Sequence, residues 1–83
     1  MKITVKTGGL LYEYLPPDRT ANRATLDIAE GATPHQVMQD LGFPADGSYL
    51  VIVNGELIAP EKRTAVRLAD GDQLSINPPL KGG

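Results

Sequence analysis

Few residues in this 83-residue chain stand in an arrangement that could run a reaction. His35 is the single histidine. No serine, cysteine or second ligand sits at a spacing that would make it a catalytic base or a metal ligand, and it reads as a surface residue. Asp70 and Asp72 flank Gly71, but two carboxylates on one turn fall far short of a calcium loop. They read as turn formers. Gly8-Gly9 lacks the lysine and the spacing of a phosphate-binding loop. The chain has no cysteine, so it offers no disulfide, thiol nucleophile, Cys-ligated zinc or Cys-ligated iron–sulfur cluster. No metal site, no bound cofactor and no self-contained catalytic constellation is expected. What stands out is the end, "NPPLKGG". Pro78 and Pro79 have fixed φ and donate no ladder hydrogen bond. Leu80 and Lys81 follow, and then Gly82 and Gly83, the residue type least able to hold one shape. Taken alone, such an ending reads either as a frayed end with no task or as a functional tail.

Composition narrows the class. Eighty-three residues suit one small domain, 1–83, with a flexible tail over 78–83. An apolar share of 41% and a net charge of −2 place the chain among globular domains rather than disordered tails. Its 8 basic and 10 acidic residues are scattered and make no basic stripe, which argues against nucleic-acid binding. "MKITVK" does not read as a signal peptide, and no apolar run approaches membrane-spanning length. The expectation is a cytoplasmic protein with no membrane association.

The elements that would position the tail can be read from periodicity. "KITVK" alternates, with Ile3 and Val5 on one face. "ATLDIA" is a second short strand. Over Gly8–Arg23, the spacings Leu10–Tyr14 and Leu11–Leu15 fit one or two helical turns, and an extended hairpin arm fits as well; "DRTAN" reads as loop. Thr33 is an N-cap, Pro34 suits the first helical position and Gly42 is a stop, so a helix is expected over Pro34–Leu41. Its stripe of Val37, Met38 and Leu41 must lie on a sheet, because so short a helix is marginal alone. "YLVIVNG" is a central strand entering an Asn54-Gly55 hairpin turn. A brief strand at Leu57–Ile58 follows, and "QLSINP" is the last, with Leu74 and Ile76 inward. The order predicts an α+β roll of the β-grasp type, a mixed sheet of four to five strands with one main helix on one face. The first two strands form a hairpin, and the last returns parallel to the first near the sheet centre. On "YLVIV", Val51 and Val53 face the helix. Leu50 and Ile52 then lie on the open face, either as a docking patch for partners or simply buried as a second apolar face.

Three stretches carry a resemblance: "EGATPHQVMQDLG", "VIVNGE" at Val51–Glu56, and "LADGDQLSINPPLKGG" at Leu68–Gly83. Together with the element order they resemble the ubiquitin-like sulfur carriers over nearly the whole chain. The Pro78-Pro79 pair and the long Gly8–Arg23 segment look more like the small subunit of molybdopterin synthase than the thiamine sulfur carrier. The stretch "YLPPDRTANR" within that segment departs from the compact members of the family.

The resemblance implies a protein cosubstrate whose reactive group is the carboxylate of Gly83. An ATP-dependent, E1-like activating enzyme would convert it to an acyl-adenylate. A persulfide protein would supply the sulfur, and the resulting thiocarboxylate would donate it to an acceptor such as the large subunit of molybdopterin synthase. ATP would be used by the activating partner, with no cofactor held by this chain. The tail must then thread a narrow channel, which Gly82 and Gly83 permit because they lack Cβ. It must also reach: Leu80 to Gly83 extended span at most ~13–14 Å. Pro79 and Pro78 end the strand and aim the tail off the sheet. Leu80 reads as a partner contact. Lys81 is either a contact to acidic groups or AMP phosphate, or a solubilising lysine.

Two rivals share these residues. A ubiquitin-like modifier would use the same activation and end as an isopeptide on a lysine. A non-covalent β-grasp interaction module would leave the tail idle. Carriers of this kind also serve thiamine synthesis, tRNA thiolation and cysteine synthesis. A synthase small subunit would share in an enzyme activity without holding the catalytic base.

Overall fold

The computed structural model describes residues 1–44 and 49–79. In chain order these form β1 (Lys2–Thr7), a 3₁₀ turn (Leu11–Tyr14), β2 (Arg23–Asp27), α1 (Pro34–Leu41), β3 (Leu50–Val53), β4 (Glu56–Ile58), a second 3₁₀ turn (Pro60–Lys62) and β5 (Gln73–Asn77). The five strands make one sheet in the order β2-β1-β5-β3-β4. β1 pairs antiparallel with β2 and parallel with β5, and β3 pairs antiparallel with both β5 and β4. This is the mixed β-grasp sheet expected from the sequence, with the first and last strands side by side in the middle.

Strand register explains the core. Ile58, Val51, Ile76 and Thr7 are successive partners across four strands, and Val53, Leu74, Val5 and Ala24 form the next row. Val5, Val51, Leu74 and Ile76 have no exposed surface at all. Val53 is half-buried against this cluster. Residues two apart share a face, so each alternating run delivers its apolar members to one side. Val37 and Met38 of α1 are buried there and Leu41 is half-buried.

α1 runs over the residues its end signals define. The Thr33 side chain accepts a hydrogen bond from the Gln36 amide (3.2 Å), and the Gln36 side chain accepts one from the Thr33 amide (3.0 Å). This reciprocal pair is a capping box. Gly42 closes the helix with φ at +89°, the left-handed conformation that glycine adopts without strain. At the β3–β4 hairpin, Asn54 and Gly55 both have positive φ, +50° and +85°, as the two central residues of a type I′ turn require.

Of the two conformations open for the start of the Gly8–Arg23 segment, the helical one is found, as a single 3₁₀ turn. Leu15 is buried, and Tyr14 lies 4.4 Å from the Phe43 ring, which meets Tyr49 edge-on at 5.3 Å. These rings tie the segment to the end of α1 and the approach to β3. Asp70 and Asp72 are turn formers. Asp70 accepts from the Lys2 amide, and Asp72 accepts from the Asn54 side chain and the Ala69 amide. His35 is exposed. Among the described residues, no helix is long and apolar enough to cross a membrane.

Candidate functional site: the root of the C-terminal tail

Leu80, Lys81, Gly82 and Gly83 lie outside the described residues. The structure does describe where their segment begins. β5 is interior to the sheet, with β1 on one side and β3 on the other, and it ends at Asn77. Pro78 and Pro79 follow and are exposed, outside any strand. A central strand would ordinarily continue until its partners end. Here the partners end too: β1 stops at Thr7, and β3 begins at Leu50, opposite Asn77. Neither proline could donate a further ladder bond. The tail therefore leaves from the middle of one sheet end rather than from an edge.

The surroundings of this exit are well defined. The Gly8 amide donates to the Ile76 carbonyl (3.0 Å), carrying the β1–β5 contact one residue past Thr7. Thr7 is buried, its amide donating to the Asn22 carbonyl (2.9 Å), while the Asn22 side chain donates back to the Thr7 carbonyl. The exit is thus anchored on the strand side and braced by the end of the Gly8–Arg23 segment.

Leu50 and Ile52 alternate with the core residues Val51 and Val53, which places them on the sheet face away from the helix. Both are half-buried, and neither belongs to the core cluster. Ile52 stands opposite Ser75 of β5 and Leu57 of β4, and Leu50 opposite Asn77. The open face beside the tail strand thus carries an apolar row of Leu50, Ile52 and Leu57. Leu57 is 62% exposed. The sequence reading missed Leu57 as part of this surface. The signal was there: its register across the Asn54-Gly55 turn pairs it with Ile52. It also missed Leu10, 71% exposed, two residues past Gly8 on the turn beside the exit.

Among the described residues, no group of three or more His, Cys, Asp or Glu could hold a metal ion.

Topology and exit together define a ubiquitin-like β-grasp domain with a central terminal strand. The model of the ThiS family matches residues 14–83, so the chain belongs to the ThiS family. No curated protein matches the sequence. Among solved structures, SAMP1 from Haloferax volcanii is similar at 23% identity, TM-score 0.69 and full coverage of both chains. The thiamine biosynthesis protein ThiS from Geobacter metallireducens has the same identity, TM-score and coverage. A chain from the complex of subunits 1 and 2 of the molybdopterin-converting factor of Helicobacter pylori matches at 20% identity and TM-score 0.60, again over both full lengths. These likenesses establish the β-grasp fold; at such identities they separate no pathway.

Proposed function

We propose that this protein is a sulfur carrier whose reactive group is the Gly83 carboxylate. One observation supports this above the others. The family match runs through residue 83, and the tail it includes springs from exposed prolines at the end of a central strand.

A carboxylate is a poor electrophile at neutral pH. Attack by a Gly83 oxygen on the α-phosphorus of ATP, with loss of pyrophosphate, converts it to an acyl-adenylate. The terminal sulfur of a persulfide then attacks the acyl carbon and expels AMP, giving an acyl disulfide. A thiol takes the outer sulfur as a new disulfide and releases the thiocarboxylate. This chain holds no cysteine, so both sulfur and thiol come from partners. The chain's own part is to be slender at the end and firm at the root. Gly82 and Gly83 permit insertion into a closed site. Pro78 and Pro79 set direction, and Leu80 and Lys81 contact the partner near the entrance. Leu50 and Ile52, with Leu57, form the docking face, which suits an apolar partner surface.

The acceptor we propose is the large subunit of a molybdopterin synthase, on the strength of the Pro78-Pro79 pair and the long Gly8–Arg23 segment. The setting we propose is the cytoplasm. The test is ATP–pyrophosphate exchange with the E1-like activating enzyme of the source organism. The wild-type chain supports exchange, and a chain with one alanine appended to Gly83 does not. Equal exchange by both would defeat the proposal. Lysine-linked conjugates that vanish on deleting Gly83, without any thiocarboxylate, would identify a modifier instead.

A further inference from the structure

The sequence carries a second pair of glycines, Gly8-Gly9, to which the sulfur-carrier reading gives no task. The structure places them against the tail root. An ideal Cβ built on Gly8 would collide with Asn77 Oδ1 and stand 3.3 Å from Pro78 Cδ. One built on Gly9 would stand 2.9 Å from Pro78 Cγ, closer than side-chain carbons approach. Turn geometry does not account for both residues. Gly9 has φ at +56°, but Gly8 is not among the positive-φ residues, so no left-handed φ calls for glycine there. At position 8 space favours glycine: a Cβ there makes the Asn77 side chain swing away and presses on the Pro78 ring. Three other turn glycines behave in the opposite way: Gly42, Gly55 and Gly71 have positive φ, and a Cβ on any of them would meet nothing within 4 Å, while one on Gly31 would stand 3.3 Å from the flexible Arg67 side chain. The pair is also fixed in place, through the Gly8 amide to the Ile76 carbonyl (3.0 Å) and the Leu11 amide to the Gly8 carbonyl (3.1 Å).

We propose that Gly8-Gly9 is the seat of the C-terminal tail, a side-chain-free surface on which Asn77 and Pro78 rest and which sets the direction in which the chain leaves the sheet. Pro78 has a rigid ring and no amide hydrogen, so packing against this seat is what orients it. Its orientation passes to Pro79 and so sets where the chain starts away from the sheet. Gly8 and Gly9 are positioning residues. The inference rests on the sulfur-carrier reading for its effect on activation, though not for the contact itself.

The test uses the full-length chain. In wild type, nuclear Overhauser effects connect the Gly9 α protons to the Pro78 ring protons. Gly8→Ala and Gly9→Ala are compared with Gly42→Ala, which has the positive-φ cost but no contact with the tail. With the activating enzyme and ATP, Gly9→Ala lowers kcat/KM for pyrophosphate exchange about tenfold or more, since an error of order 1 Å in placing a reacting group can cost ~100-fold. Gly8→Ala moves it the same way, and Gly42→Ala leaves it at the wild-type value. In a Pro78→Ala background, which lacks the ring, adding Gly9→Ala changes kcat/KM by less than about twofold. If Gly9→Ala does not fold, Gly8→Ala, with no left-handed φ to strain it, carries the comparison. The proposal is overturned if the Overhauser contacts are absent, if both glycine variants match Gly42→Ala, or if the Pro78→Ala background leaves the Gly9→Ala effect undiminished. If wild type supports no exchange, the carrier reading fails. The seat is then judged by the Overhauser contacts and the same cycle run on urea unfolding, where zero coupling overturns it.

Discussion

Replacing Phe43 with leucine should loosen the tie between the Gly8–Arg23 segment and the body of the domain. Phe43 is 6% exposed and touches two rings, Tyr14 at 4.4 Å and Tyr49 at 5.3 Å. Leucine keeps the site apolar and filled to a similar degree, so the main loss is aromatic. Each such pair contributes ~0.5–1.5 kcal/mol beyond buried area, so the two together give about 1–3 kcal/mol. For a domain of this size, about 4–8 °C of Tm accompanies each kcal/mol. Phe43→Leu should therefore melt at least ~4 °C below wild type and shift the urea midpoint with unchanged slope. A double-mutant cycle with Tyr14→Leu isolates one pair and should return a coupling of about 0.5–1.5 kcal/mol. A coupling within about 0.3 kcal/mol of zero would refute the reasoning, because the segment would then be held by something other than ring contact.

Other perturbations follow from the same geometry. Thr33→Ala removes the side-chain half of the capping box and should cost about 0.5–2 kcal/mol by urea unfolding. Gly42→Ala meets open space but a left-handed backbone, so its cost of ~1 kcal/mol is conformational, and Gly42→Asn should recover part of it. Leu57→Ser alters an exposed side chain and should change stability by no more than about 0.5 kcal/mol. Ile52→Asp should leave the far-ultraviolet circular dichroism spectrum unchanged while weakening association with the activating enzyme, measured by titration calorimetry; undiminished affinity would remove the open face from the docking surface.

Most of the scaffold was legible because its signals are local. Thr33, Pro34 and Gly42 mark the ends of α1, Asn54-Gly55 marks the hairpin, and strict alternation assigns Ile3, Val5, Leu74 and Ile76 to the core. The features that were not legible depend on residues distant in sequence. The Tyr14–Phe43–Tyr49 contact joins three separate segments, and no spacing rule links them. Tyr14, the last residue of the 3₁₀ turn, takes part in that contact, and periodicity alone left the helical and extended forms of this segment both open. The tail root was readable as two prolines and two glycines, but its seat was not. Gly8-Gly9 and Pro78 are neighbours only because β1 and β5 run parallel, side by side. Leu57 joined the open-face row for a similar reason, through cross-strand register rather than its own surroundings in the chain.

The central claim is that Gly83 carries sulfur, and the most direct measurement is the intact mass of the protein purified gently from its source organism. The account predicts a fraction in which one oxygen is replaced by sulfur, with fragmentation placing the change at Gly83. A terminus that is always a plain carboxylate, even after incubation with the activating enzyme, ATP and a persulfide donor, would contradict it.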